Sequence, residues 1–341
     1  MVLRTCIRQC KADPMTPEPV APLARVLVTG ANGFIGQHLQ RVLGARGFDW
    51  RGAVRSGAAG RDARTCVVGD IGPSTDWTAA LDGIDTVVHL AARAHILRET
   101  SADPDAEFMR VNAEGTAALV TAAVAAGVRC FIYMSSAGVL GSNSGDAPFT
   151  AVSAPRPHNA YARSKLAGEL AARSAAGAKL KLVVLRVPLV YGPGVRANFL
   201  RLLWWIDREW PLPLGAVHNR RSLLSVWNLC DLLLNVLLNP AARDGTWLAS
   251  DGEDLSTPEL MYRIGAAMGR RVRLMPVPPG LLQLFGRLTG RQALITQLCG
   301  SLTLDIALTR EQFTWTPPVS VDESLTRTVD WFLAEGRSPR V

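Results

Sequence analysis

Residues 25–39 read RVLVTGANGFIGQHL, and this stretch decides how the rest of the chain is read. Val26, Leu27 and Val28 are an apolar run that predicts a buried strand. Gly30, Gly33 and Gly36 follow at three-residue spacing, and an apolar-periodic helix opens around Phe34 and Ile35. A strand, a tight glycine turn and a helix N-terminus together make a cradle for a nucleotide pyrophosphate. The glycines let the backbone approach the phosphates, and the helix end offers N–H groups and positive dipole. The competing reading is a glycine-rich turn with no ligand.

The pattern extends outward from this unit. Strands are predicted at 25–29, 50–54, 65–68, 86–90, 129–134 and 181–186, with helices between them at 34–46, 76–82, 104–127 and 159–176. Such alternation predicts an α/β fold, a Rossmann-type doubly wound parallel sheet covered on both faces. Ligands bind such sheets at the carboxyl ends of the strands. After residue 186 prolines and tryptophans concentrate, at Pro188, Pro193, Trp204, Trp205, Trp210, Pro211 and Pro213. The chain therefore divides into a dinucleotide-binding domain over 23–186 and a smaller mixed α/β lobe over 187–341, partly interleaved with the sheet. Residues 1–22 carry four prolines and no signal-peptide core. They read as a disordered tail, with Met15 as an alternative start.

The 341 residues are 48% hydrophobic, enough for a substantial core, and carry a formal charge of +8. The excess is scattered arginine, without the aromatic interleaving of a nucleic-acid binder, so no nucleic-acid partner is expected. Cys6, Cys10, Cys66, Cys130, Cys230 and Cys299 form no C-x-x-C pair and no zinc-spaced cluster. Reduced thiols and a cytoplasmic location fit them, and no apolar run is long enough to span a bilayer.

Tyr161 and Lys165 stand four apart on a helical pattern, NAYARSKLAGEL, and so share one helix face. A lysine ammonium beside a phenol favours the phenolate, which predicts a lowered tyrosine pKa and a proton-transfer role. Strand 129–134 runs into Ser135 and Ser136, where a hydroxyl can hold a reacting oxygen. Each piece alone is weak; the three in this order are specific.

With these motifs the chain resembles the extended short-chain dehydrogenase/reductase family, of the nucleotide-sugar epimerase/dehydratase type. The matching pieces are TGANGFIG, GDI at 69–71, VVHLAA at 87–92, VNAEGT at 111–116, SSAGVLG, YARSK and LRVPLVYGPG at 185–194. The resemblance implies NAD or NADP as cofactor. Gly30, Gly33, Phe34, Ile35 and Gly36 would hold its pyrophosphate, and Asp70 and Ile71 would border the adenine. Leu90, Ala91 and Ala92 would line a ribose, Asn112 would support the site, and Pro188 would flank the nicotinamide. Tyr161 would be the acid/base, Lys165 its partner and a ribose ligand, and Ser136, rather than its neighbour Ser135, the catalytic serine. Asn198 and Arg221, with Arg220 as alternative, would grip a nucleotide-sugar substrate, and Arg93 would be a further substrate neighbour. The family also implies a homodimer built through helices 104–127 and 159–176.

Two departures stand out. Where NAD-preferring relatives carry an acid after the second strand, this chain has Val54 and then Arg55, which favours the 2′-phosphate of NADP. The aspartate expected after the substrate arginine reads Asn228. The function these features imply is hydride transfer at sugar C4. A 4-reductase of a UDP-4-keto-6-deoxy-N-acetylhexosamine in bacterial surface-polysaccharide synthesis leads, with a UDP-hexose or UDP-N-acetylhexosamine 4-epimerase as the alternative. A 4,6-dehydratase fits SSAG poorly. A nonenzymatic NADP-sensing protein is a distant alternative, since the Ser136, Tyr161 and Lys165 set is kept. His89 is expected to be a packed, satisfied histidine, and His95 and His158 have no metal set around them. FLRLLWWIDREW at 199–210 and LLQLFGRLTGR at 281–291 are amphipathic. Core or inter-subunit packing is their expected use, with a membrane surface as the rival.

Overall fold

The computed structural model describes residues 24–56, 64–94, 103–239, 244–290 and 292–336. The expected N-terminal tail, Cys6, Cys10 and His95 lie outside the described residues.

The first half alternates as the sequence pattern predicts. In chain order it runs β1 (Val26–Thr29), α1 (Phe34–Ala45), β2 (Trp50–Val54), β3 (Thr65–Val67), α2 (Thr78–Leu81), β4 (Thr86–His89) and α3 (Pro104–Met109). It continues with α4 (Gly115–Ala125), β5 (Cys130–Ser136), α5 (Ala160–Ala176), β6 (Lys181–Val187) and β7 (Leu189–Tyr191). The second part comprises α6 (Ala197–Asp207), β8 (Arg221–Ser225), α7 (Val226–Leu238), β9 (Gly245–Leu248), β10 (Asp254–Leu255) and α8 (Thr257–Met268). The last four helices are α9 (Pro279–Leu288), α10 (Gln292–Cys299), α11 (Ala307–Phe313) and α12 (Val321–Trp331).

Among the described residues one seven-stranded sheet has the order β3-β2-β1-β4-β5-β6-β9, every pair parallel. The strand order reverses direction between β1 and β4, which opens a crevice at their carboxyl ends. Successive strand residues enter different cores. Val26, Val28, Ile132 and Met134 join one apolar cluster, whereas Leu27, Phe131 and Tyr133 join the other. This two-residue period buries both faces of the sheet, so the strands read as continuous apolar runs. A second sheet, β10-β8-β7, lies in the later part of the chain. There a third cluster gathers α6, α8 and α12. β9 crosses back to pair with β6 at the edge of the large sheet.

The helix expected over 104–127 is interrupted. Residues Arg110–Glu114 form a π-helical turn between α3 and α4. The widened turn carries Asn112, and π-turns of this kind concentrate at functional positions. The segment 199–210 behaves as predicted, burying Phe199, Leu202, Leu203 and Ile206. In the segment 281–291 only Leu282 and Gly286 of α9 are buried within the chain, so it is not core packing that uses its apolar face.

Candidate active site

The glycine turn after β1 is shaped by contacts that a side chain would destroy. Gly30 has φ +68°, and a Cβ there would lie 2.9 Å from the Ala91 amide nitrogen. At Gly36 a Cβ would lie 2.3 Å from the Gly30 carbonyl oxygen. Gly33 stands at the start of α1 with no side chain capping the helix, and no acid occupies the first turn. The cradle is thus narrow, unfilled by side chains and electropositive, which fits a dinucleotide pyrophosphate.

Two threonines absent from the sequence prediction knit this crevice. Thr29 Oγ1 lies 2.7 Å from His89 Nδ1 and accepts from the Ala91 amide at 3.2 Å. The other ring nitrogen of His89 lies 3.1 Å from Thr116 Oγ1. His89 is fully buried, and burial pushes its pKa down to about 3, so the ring is neutral and structural as expected. These bonds set the path of Leu90, Ala91 and Ala92 beyond β4. Asn112 fixes the next step: its Oδ1 accepts from the Arg93 amide at 2.8 Å, and its Nδ2 donates to the Arg93 carbonyl at 3.1 Å. Nδ2 also donates to Ser164 Oγ at 2.9 Å, tying this loop to the face of α5 between Tyr161 and Lys165.

α5 is capped by Asn159, whose side chain accepts from the Ala162 amide at 2.8 Å. Tyr161 lies in the first turn, with the Phe108 ring edge-on at 6.3 Å between centroids. The Arg93 guanidinium covers the other partner of that pair, 5.4 Å from the Phe108 centroid. One turn on, Lys165 is 2% exposed, its Nζ 4.1 Å from the centroid of the Tyr133 ring. Burial pushes Lys165 down to about 7, partly opposed by the Glu169 carboxylate. Burial also pushes Tyr161 up to about 12. This corrects the expected lowering of the tyrosine. The cause is desolvation of the phenolate by burial.

The paired serines at the end of β5 have different surroundings. Ser135 is buried and its hydroxyl donates to the Glu169 carboxylate. Ser136 is half-buried and its Oγ accepts from the Gly138 amide at 3.1 Å. A Cβ on Gly138 would lie 3.3 Å from Ser136 Oγ and 3.8 Å from both Ala162 and His158. The turn after Ser136 therefore meets the start of α5 at Ala162, the residue after Tyr161. Glu169 is also bound by Arg186 through Nε at 3.0 Å and Nη2 at 2.6 Å, a buried bidentate pair. Sequence reasoning missed Glu169 and Arg186. The available signal was an acid four residues after Lys165, and an arginine inside the apolar strand KLVVLRV.

Arg55 follows β2 and pairs with Asp70 at 2.6 Å, with side chains 77% and 66% exposed. Ile71, next to Asp70, packs against Gly115 of α4, where a Cβ would lie 2.7 Å from its Cγ2. Pro188 links β6 to β7. Beyond it, the loop of Gly192, Pro193 and Gly194 rests on α1. The Pro193 carbonyl lies 2.8 Å from His38 Nε2, and Cβ atoms on Gly192 and Gly194 would each lie 3.6 Å from the Phe34 ring. This loop leads to Asn198 in the first turn of α6. Ala197 immediately before it holds φ 54°, a left-handed conformation that strains a non-glycine residue.

Arg221 opens β8, half-buried, its Nη1 donating to the Gly300 carbonyl at 2.8 Å; Arg220 is exposed. Asn228 explains its departure from the expected aspartate. Its Nδ2 donates to Asp251 at 2.7 Å and to the Val319 carbonyl at 2.8 Å. An aspartate could make neither bond and would face the Asp251 carboxylate. Among the described residues no group of three or more metal-ligating side chains occurs, His158 included. The described cysteines, Cys66, Cys130, Cys230 and Cys299, are free thiols.

Comparison with known proteins places the chain in a family. The family model described as NAD dependent epimerase/dehydratase family matches residues 26–247. A UDP-glucose 4-epimerase of Vibrio cholerae is 34% identical over 95% of this chain and 98% of its own length. A ceramide reductase of Caulobacter vibrioides is 30% identical over 92% of this chain and 96% of its own. The solved structure of MoeE5 in complex with UDP-glucuronic acid and NAD superposes with a TM-score of 0.74 and 26% identity. It covers 91% of this chain and 99% of that one. The glycine cradle, the π-turn asparagine and the Ser136/Tyr161/Lys165 group thus lie in a chain that belongs to the NAD-dependent epimerase/dehydratase family.

Proposed function

We propose that this chain is a nucleotide-sugar 4-reductase, which converts a UDP-4-keto-6-deoxy-N-acetylhexosamine to the 4-hydroxy sugar in bacterial surface-polysaccharide synthesis. The observation that carries this reading is Tyr161, a phenol pushed up to about 12 at the start of the helix whose Ala162 meets the turn after Ser136. A hydroxyl held neutral is a proton donor, and a ketone becoming an alcohol needs a proton on its oxygen. In this reading Tyr161 Oη gives its proton to the C4 oxygen while Ser136 Oγ hydrogen-bonds that oxygen. Ser135 is engaged by Glu169, which favours Ser136 for the role.

The cradle of Gly30, Gly33, Phe34, Ile35 and Gly36 would hold the pyrophosphate of a nicotinamide dinucleotide, which supplies hydride chemistry when bound. Asp70 and Ile71 would border its adenine. Leu90 to Ala92 and Lys165 would meet its ribose groups, and Pro188 the nicotinamide. Arg55 favours NADP, because an exposed ion pair to Asp70 is weak enough to yield to a 2′-phosphate. Residues 23–186 would serve the cofactor and 187–341 the substrate, with Asn198 and Arg221 as its ligands. Leu170 on α5 is 62% exposed, and its helix would pair with that of a second copy in a homodimer. Leu170→Arg should then convert dimer to monomer in light scattering; an unchanged mass rejects this interface.

A second reading, a UDP-hexose 4-epimerase, is favoured by the name and near-full coverage of the Vibrio cholerae relative. One experiment separates the two. The protein is mixed with NADPH, or NADH, and the 4-keto sugar nucleotide made in situ, and the reduced-nicotinamide absorbance is followed. Stoichiometric oxidation establishes the reductase. No oxidation, together with interconversion of UDP-hexoses by protein that retains a dinucleotide, establishes the epimerase.

A further inference from the structure

α9 carries an apolar stripe that the fold does not use. Leu281, Leu284, Phe285 and Leu288 recur at i, i+3, i+4 and i+7, the spacing of one helix face. They are 58%, 53%, 57% and 79% exposed. In an ordinary surface helix such a stripe faces the core. Here the inward contacts are made by other positions: Leu282 joins the cluster around α6, α8 and α12, and Gly286 packs on α10. A Cβ on Gly286 would lie 2.9 Å from Ile295 Cγ1, so the two helices are pressed together along that side. The stripe is thus additional to packing.

Charge along the segment that carries the stripe has one sign. Residues 269–304 contain five arginines, Arg270, Arg271, Arg273, Arg287 and Arg291, and no aspartate, glutamate or lysine. Arg270 and Arg273 pair with Asp207 and Glu209 at the end of α6. Arg271 and Arg287 are exposed, as is Met275 between them. A short helix with a wide apolar face and arginines about it is the pattern that lies in a bilayer interface, apolar side toward the acyl chains and cations among the phosphates. No helix among the described residues is long and apolar enough to cross a membrane, so the contact is peripheral.

We propose that the exposed face of α9 docks this protein on an anionic lipid bilayer. Leu281, Leu284, Phe285 and Leu288 enter the headgroup–acyl boundary, while Arg271 and Arg287 meet lipid phosphates. Hydrogen bonds tie the end of the α9–α10 pair to the second lobe. α10 ends at Cys299, and the next carbonyl, that of Gly300, accepts from both Arg221 and Asn219. A surface held at the membrane by α9 therefore lies one helix away from Arg221.

The test is co-sedimentation of the full chain with vesicles, either phosphatidylcholine alone or phosphatidylcholine mixed with phosphatidylglycerol. At low salt the protein should pellet with the mixed vesicles and stay in solution with the neutral ones. The double variant L284S/L288S should lower the partition coefficient by at least about tenfold, as should R271E/R287E. All four side chains are exposed, so thermal unfolding should stay unchanged. Phe285→Trp should show a blue-shifted emission on adding mixed vesicles. Absence of binding to mixed vesicles, or binding that the leucine pair does not weaken, overturns the proposal. A change in the mass of the vesicle-free protein on L284S/L288S also overturns it, and assigns the stripe to contact between copies of the chain.

Discussion

At the scale of single residues, the candidate chemistry rests on how burial distributes protons. Burial holds Tyr161 protonated and pushes Lys165 down to about 7, so the candidate proton donor is neutral at rest. Tyr161→Phe removes the proton and little else. Turnover should fall by about 10²- to 10⁴-fold while dinucleotide binding, read by fluorescence quenching, stays within a factor of two or three. Unchanged turnover would remove Tyr161 from the mechanism. Arg55 answers to a different readout. Arg55→Glu should raise the KM for NADPH by about tenfold or more and leave that for NADH nearly unchanged, because only one dinucleotide carries a 2′-phosphate. Equal effects on both would detach Arg55 from cofactor choice. Tyr161, Lys165 and Ser136 were legible as residue types at set spacing. Their proton affinities were not, because desolvation depends on every neighbour that excludes water.

Between elements, the site depends on polar side chains that fasten one strand or helix to the next. Glu169 binds Arg186 of β6 and Ser135 of β5 from its place on α5, all within the apolar interior. Removing one member leaves a buried guanidinium without its counter-charge. Glu169→Gln should therefore destabilise the protein by roughly 3–5 kcal/mol in urea unfolding, against about 1 kcal/mol for Ser135→Ala. A loss below about 1 kcal/mol for Glu169→Gln would mean that water reaches the pair. The helix boundaries were readable because caps and periodicity are local. The break of 104–127 into α3, a π-turn and α4 was not, since Asn112 is drawn toward Arg93 and Ser164, residues distant in sequence.

For the molecule as a whole, buried neutral groups set how stability responds to acid. His89 has a pKa near 3 when folded and about 6.5 when unfolded. Between these values the unfolded chain binds a proton that the native state refuses, so stability falls as pH drops below 6.5. At pH 5 this one residue accounts for about 2 kcal/mol relative to pH 7.5. Urea midpoints measured across that range should show the decline, and His89→Gln should flatten it. An equal slope in wild type and variant would place the acid sensitivity elsewhere.

By itself the sequence determined the parallel sheet, the glycine cradle and the order of the candidate groups, because each is written in short-range pattern: apolar runs, three-residue glycine spacing, and a tyrosine and lysine one turn apart. Tertiary structure alone decided what engages each serine, Ser135 the buried Glu169 carboxylate and Ser136 the Gly138 amide. It likewise decided that Asn228 must be an amide, bridging Asp251 and a backbone carbonyl ninety-one positions on. The stripe on α9 has the same origin. Periodicity shows that a helix has an apolar face, but only the assembled fold determines whether anything covers it.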